Sequence, residues 1–219
     1  MRRVLSIAGS DPSGHAGLQA DLKVFEAHGV WGMAVPTVIT VQDAKRVYST
    51  TVLEPGLVRA QIRAVLALAV VVKVGMVGTG AMARMLAEEL RGSRVVLDPV
   101  LLSSSGAALM DEPDALLELA AICELVTPNL PESEALPGLC SGPAAVLLKG
   151  GHGHGDTVVD RLLGGPSFAR VRLNGAQTRG TGCRLSSAIA ARLALGEDLE
   201  SAVRGAGNWL HAELARSVS

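Results

Sequence analysis

Aromatic side chains are nearly missing from this 219-residue sequence: Phe25, Trp31, Tyr48, Phe168 and Trp209 are all it has. Its core must therefore be built from Ala, Val and Leu, which suits a parallel sheet covered on both faces by Ala-rich helices. Cysteine is sparse too. Cys123, Cys140 and Cys183 are odd in number and far apart, with no CxxC pair, so neither a disulfide framework nor a zinc site is indicated and a reducing compartment fits best. No excess of either charge exists: the formal net charge is −1, and no stretch carries a dense Lys/Arg patch. That removes the electrostatic case for nucleic acid or an anionic membrane. Long apolar runs are absent as well. The longest, Ala64 to Val72, lies between Arg63 and Lys73 and is about half of the ~18–20 residues needed to span a bilayer. Arg2 and Arg3 precede too short an apolar stretch for a signal peptide, so a cytoplasmic location is expected.

What the sequence does have is an alternation of strand-like and helix-like segments. Val4 to Ala8 is an apolar run ending in a Gly-rich loop, Gly9 to Gly17, and a helix follows to about His28 with Leu18, Leu22 and Phe25 on one face. Met33 to Val41 reads as a strand, with Pro36 arguing for an edge position or a bulge. Further strands are predicted at 70–74, 94–97, 124–127, 145–148, 157–163 and 167–173. Helices are predicted at 55–68, 81–90 (capped by Thr79), 113–122, 182–195 and 199–217. No repeat or long linker divides the chain. The reading is one α/β domain over 1–219 with a mostly parallel sheet. In such a sheet ligands sit beyond the carboxyl ends of the strands. Those ends carry Asp11, Gln42, Gly75-Met76, Asp98, Asn129 and Lys149.

The sharpest local signal is Thr178-Arg179-Gly180-Thr181-Gly182-Cys183, followed by a helix rich in small residues. Such a turn brings backbone N–H groups to a helix N-terminus, ready for an anion. A cysteine in that first turn is expected to have a lowered pKa and could take a proton from an attacking alcohol. The alternative is a Gly-turn opening an ordinary helix, with Cys183 as buried filler. The Gly9–Gly17 loop does not fit G-x-G-x-x-G, and a Walker A motif is absent, so a nucleotide would have to be held by another device. Asn129 and Glu132, three residues apart at a strand-to-helix junction, either face one Mg²⁺ held mostly through waters or form an N-cap with its reciprocal N3 partner. His152-x-His154, in a Gly-rich turn, reads as a solvated loop, and no Ser-His-Asp order or G-x-S-x-G elbow supports acyl transfer.

Taken together, Ile7 to Gly14, Gln19 to Lys23, Lys73 to Met76, Leu97 to Val100, Thr127 to Glu132, Leu148 to His152 and Gly180 to Cys183 resemble, in order, the hydroxymethylpyrimidine and phosphomethylpyrimidine kinases of thiamin biosynthesis, members of the ribokinase-like superfamily. The resemblance implies ATP-dependent phosphorylation with Mg²⁺, of the pyrimidine alcohol and of its monophosphate. It implies that Gln42 reads the pyrimidine edge, with Gly9, Asp11, Asp21 and Met76 completing the pocket. Gly180, Thr181 and Gly182 match the anion hole, and Cys183 stands where ribokinases carry an aspartate base. Asn129 and Glu132 match the magnesium-linked motif, while Lys149, Thr127 and Asp98 fall to the nucleotide side. Three departures stand out. The stretch between Glu132 and Lys149 leaves little room for a covering helix, and the chain lacks the family's usual C-terminal extension, so one sheet face is expected to be barer and a homodimer to form. Asp43-Ala44 replaces the usual Asn-Thr after Gln42. The competing expectations are a pyridoxal kinase and a catalytically degenerate, pyrimidine-sensing subunit.

Overall fold

The computed structural model describes residues 1–43, 46–102, 108–151, 155–173 and 179–217. The His152-x-His154 reading, Ala44 and Thr178 lie outside the described residues. In chain order the elements are β1 (Arg3–Ser10), α1 (Gly17–Ala27), β2 (Trp31–Gln42), β3 (Val47–Val52), α2 (Pro55–Val65), β4 (Val71–Val74), α3 (Gly80–Glu89), β5 (Val95–Leu97), α4 (Ala115–Ala120), β6 (Leu125–Val126), α5 (Leu130–Ala135), β7 (Ala145–Leu148), β8 (Thr157–Leu162), β9 (Ser167–Val171), α6 (Thr181–Ala194) and α7 (Leu199–Arg216).

One nine-stranded sheet runs in the order β3-β2-β1-β4-β5-β6-β7-β8-β9. From β2 to β7 all neighbours are parallel, and antiparallel strands close both edges. The period-2 alternation of side chains sorts each central strand onto two cores. Leu5, Val72, Val95 and Val126 pack with α2, α3 and α4 on one face. Their sequence neighbours Val4, Val71, Val96 and Leu125 pack with α1, α6 and α7 on the other. Because both faces are buried, the strands read as mostly Val/Leu/Ile runs, broken by the buried Ser6 and Lys73, instead of an apolar–polar alternation.

The chain leaves β1 in one direction, to β2, and returns on its other side as β4. This reversal opens a crevice above the carboxyl ends of β1 and β4, where ligands settle in open α/β sheets. Pro36 is not at a sheet edge, since β2 has β1 on one side and β3 on the other. The bulge is what occurs: the β1–β2 register slips between Ala8↔Pro36 and Ser10↔Ile39, and β3 pairs only from Val38 onward, so the missing N–H costs no ladder bond on that flank. The strand β3 was not foreseen. Between Glu132 and Lys149 the cover is a six-residue α5 and a 3₁₀ turn, Pro137–Cys140, whose Leu139, with the adjoining Leu136, reaches the core.

Candidate active site

A cavity of about 750 Å³ opens over that crevice. Its floor is made by the loop after β1, and α6 closes it from above. In that loop the Asp11 carboxylate accepts from the Ser13 amide and hydroxyl (2.8 and 2.7 Å) and from the Ala16 amide (2.9 Å). Burial alone would raise its pKa, but these bonds, with one from Gln42, hold it below the usual carboxylate value. Asp11 therefore stays charged and shapes the loop. The loop's tightest point is Gly17, at φ +59°, where a Cβ would stand 2.2 Å from the Gly9 carbonyl oxygen.

Gly180 presses on the same loop. It adopts φ +73°, and a Cβ there would meet the His15 carbonyl oxygen at 1.9 Å, so only glycine lets the two loops touch. Gly180 is also the N-cap of α6 and supplies no side chain to the first-turn amides. The same is true of Ala16 at the start of α1. Elsewhere α2, α3, α5 and α7 carry a side-chain cap, from Glu54, Thr79, Asn129 and Asp198, while α4 does not. An uncapped N-terminus with its dipole aimed into a cavity is an anion site. Thr181, Gly182 and Cys183 line it.

Two buried lysines face this turn. Lys73, on β4, is fully buried and donates to both Asp21 oxygens at 3.1 and 2.9 Å. Burial would lower its pKa, but the Asp21 carboxylate, helped by Asp98, overrules that and raises it. Asp21 also accepts from the hydroxyls of Ser6 (2.6 Å) and Ser187 (2.7 Å), which ties α1, β1, β4 and α6 together. Asp21 thus does not line the cavity as the resemblance implied: with no exposed surface it is the counter-ion beneath the wall, and Lys73 is what reaches the cavity. Lys149, at the end of β7, lies 2.5 Å from Asp98 and 4.0 Å from Glu132. Burial opposes its charge, and Asp98 and Glu132 restore and strengthen it. Thr127 is displaced likewise. It is fully buried, donates to the Leu97 carbonyl and stands behind Asp98, away from the cavity.

The expected thiolate at position 183 is not what the surroundings favour. Burial pushes the Cys183 thiol up to about 12, and Asp98 and Asp21 add to this; Lys73 and the Gly17 amide pull only partly the other way. The helix-end effect is a fraction of a charge at a water-exposed terminus, and here it meets desolvation plus two carboxylates. Cys183 is a protonated thiol beside Asp98.

Asn129 and Glu132 face the cavity and also form the cap: Asn129 Oδ1 accepts from the Glu132 amide (2.9 Å) and Glu132 Oε2 from the Asn129 amide (2.8 Å). Burial, then the charge of Asp98, raises Glu132 to about 7 against the pull of Lys149. Among the described residues no three His, Cys, Asp or Glu side chains come together as a metal cage. This donor set does not chelate an ion outright. It fits a Mg²⁺ that keeps its waters and is shared with phosphate oxygens, with Glu132 as the carboxylate nearest Asn129 and Asp98 held by Lys149.

Several lining residues were not assigned from the sequence. Arg179 donates from Nη2 to Gln42 Oε1 at 3.1 Å, joining the anion turn to the end of β2. Asp160 accepts from the Gly150 amide (3.0 Å) and from Arg170 (3.1 Å), which fixes the chain just after Lys149. At its far end the cavity turns apolar between Val158 and Val171 on one side and Leu210 and Leu214 on the other. The helical spacing of Gly207, Leu210, His211 and Leu214 on α7 was the available signal for that patch. Met76 leans over Gly9, whose place a Cβ would contest at 2.9 Å from the Met76 sulfur.

The cavity therefore joins an uncapped helix N-terminus, a buried lysine, a carboxylate and an apolar slot, which is the equipment for moving a phosphoryl group between two bound molecules. Comparisons with known proteins agree. The family model described as phosphomethylpyrimidine kinase matches residues 11–219. The hydroxymethylpyrimidine/phosphomethylpyrimidine kinase of Rhizobium meliloti is 40% identical, with 96% of this chain and 90% of that protein aligned. A crystal structure of phosphomethylpyrimidine kinase from Clostridium difficile superposes with a TM-score of 0.80 at 32% identity, covering 100% of both chains. The pyridoxal kinase of Staphylococcus aureus, solved with pyridoxal, gives a TM-score of 0.87 at 27% identity over 98% of this chain and 88% of that one. No helix among the described residues is long and apolar enough to cross a membrane. This chain is a kinase belonging to the phosphomethylpyrimidine kinase family.

Proposed function

We propose that this kinase transfers the γ-phosphoryl group of ATP to the hydroxymethyl oxygen of 4-amino-5-hydroxymethyl-2-methylpyrimidine, and then to the resulting monophosphate, in thiamin biosynthesis or salvage. The observation that carries this reading is that the uncapped start of α6, Lys149 and Gln42 open on one cavity. The Gln42 carboxamide offers a donor and an acceptor side by side, which matches the amino group and adjacent ring nitrogen of an aminopyrimidine. Met76 supplies apolar cover for the ring above Gly9. The nucleotide base takes the apolar slot against Leu210 and Leu214, and its phosphates run past Lys149 toward α6.

Transfer then depends on alignment and on neutralising charge over the phosphoryl oxygens. The amides from Gly180 to Cys183 provide the neutralisation without reorganising. Cys183 enters protonated; its sulfur accepts a hydrogen bond from the attacking hydroxyl while its own proton points to Asp98. In a loose transition state the hydroxyl proton leaves late, passing to the Cys183 sulfur as the thiol proton passes to Asp98, so a poised thiolate is not required. A Mg²⁺ bound with ATP would neutralise the β- and γ-phosphate oxygens, and Asn129 and Glu132 are the residues that would hold its waters.

Release of ADP from purified protein, with the alcohol, its monophosphate and pyridoxal offered separately, tests the assignment. Turnover of both pyrimidines and not of pyridoxal is expected. Pyridoxal turnover alone would make this a pyridoxal kinase, and pyrimidine binding without ADP release would make it a sensor.

A further inference from the structure

The second phosphorylation sets an electrostatic problem that the first does not. The alcohol is neutral, whereas the monophosphate acceptor brings nearly two negative charges against the triphosphate. The cavity's acceptor end must supply positive charge that is not already spent. Among the described residues there, Lys73 is matched by Asp21, and Lys149 by Asp98 and Glu132. Arg179 differs: its guanidinium meets only the neutral carboxamide of Gln42, and no carboxylate pairs with it among the described residues. Most other arginines, Arg59, Arg84, Arg94 and Arg192 among them, stand against glutamates.

Its position is as informative as its charge. Arg179 immediately precedes the Gly180 N-cap, so its backbone is fixed against the anion turn while its side chain reaches across 137 positions to the residue that reads the ring. Only one of its nitrogens is used in that contact. The remaining edge of a planar fork is free to take two phosphate oxygens, a geometry that suits Arg and not Lys.

Resting on the function proposed above, we propose that Arg179 is the specificity-determining residue for the phosphorylated acceptor. It binds the acceptor's 5-phosphomethyl group during the second transfer, and in the first transfer it does no more than orient the Gln42 carboxamide. Two effects follow from one contact. Losing the cation harms the monophosphate reaction through binding, and losing the hydrogen bond to Gln42 harms both reactions slightly.

The test is kcat/KM for the alcohol and for the monophosphate, each at saturating ATP, in the wild type, Arg179→Met and Arg179→Lys. Arg179→Met should lose roughly 10- to 100-fold with the monophosphate, the effect of removing a charged hydrogen-bond partner, and only a few-fold with the alcohol. The loss should fall mainly on KM. Arg179→Lys should recover part of it, since charge is restored without the fork. Equal losses with both acceptors in the Met variant, or none, would overturn the assignment. Should the Met variant not fold, the same ratio in the Lys variant decides. A wild type that turns over neither pyrimidine would refute the proposed function itself, which is a different result from equal losses in an active enzyme.

Discussion

Replacing Asp21 with asparagine keeps the shape of the side chain and removes the negative charge in contact with Lys73. Both residues have no exposed surface, so the stranded ammonium cannot turn to water. Breaking a buried pair by removing one partner costs about 3–5 kcal/mol, because an uncompensated charge remains. The Asn amide also cannot accept from Ser6, Ser187 and Lys73 as two carboxylate oxygens do, which adds to the loss. For a chain of this length each kcal/mol moves Tm by about 2–4 °C, so Asp21→Asn should melt about 6–20 °C lower. The double variant Asp21→Leu/Lys73→Met should regain most of that, since a buried pair can give way to apolar residues of similar size at little cost. Calorimetry on the wild type and both variants measures it. An Asp21→Asn protein with unchanged Tm and a raised KM for the pyrimidine would refute the structural role and return Asp21 to the substrate pocket.

Cys183→Ala should slow the alcohol reaction roughly 10²-fold or more and the monophosphate reaction far less, because the second acceptor is already ionised; equal losses would contradict that division. With the thiol pushed to about 12, its alkylation by iodoacetamide should quicken about tenfold per pH unit from pH 7 to 10, and a plateau near neutrality would contradict the burial argument. Gly180→Ala forces a Cβ onto the His15 carbonyl at positive φ, displacing the anion turn, so activity should fall on the order of 10²-fold with both acceptors; retention of full activity would show the turn to be unimportant. Glu132 titrates near 7 folded against 4.5 as its ordinary value, so between these pH values the native state holds a proton that the unfolded chain does not, and stability falls as pH rises through that window. Glu132→Gln retains an oxygen for the Asn129 amide and should flatten the slope in urea titrations from pH 5 to 8; parallel curves for variant and wild type would contradict it.

The sequence made the central strands plain because both sheet faces are buried, leaving uninterrupted runs such as Val95–Leu97. It made β3 invisible for the opposite reason: Val47 to Val52 is exposed along nearly its whole length, so its pairing with β2 imposes no hydrophobic period. Helix starts were legible where a side chain does the capping, as at Thr79, and the Gly-Thr-Gly turn stood out because it lacks one. Asn129 and Glu132 show two readings coexisting, since the same side chains cap α5 and face the cavity. The partner of Asp21 lies 52 positions away, beyond what spacing can reveal. The Cys183 pKa was misread because the helix end is visible in sequence, whereas the burial and carboxylates that outweigh it exist only in the fold.

A crystal structure of the protein with ADP, the pyrimidine alcohol and a planar metal-fluoride mimic of the transferring phosphoryl group bears most directly on the site. The account predicts the fluorides within about 2.7–3.1 Å of the amide nitrogens between Gly180 and Cys183, in line with the pyrimidine oxygen, and the ring held by Gln42. A mimic bound elsewhere, with those amides turned to protein carbonyls, would contradict it.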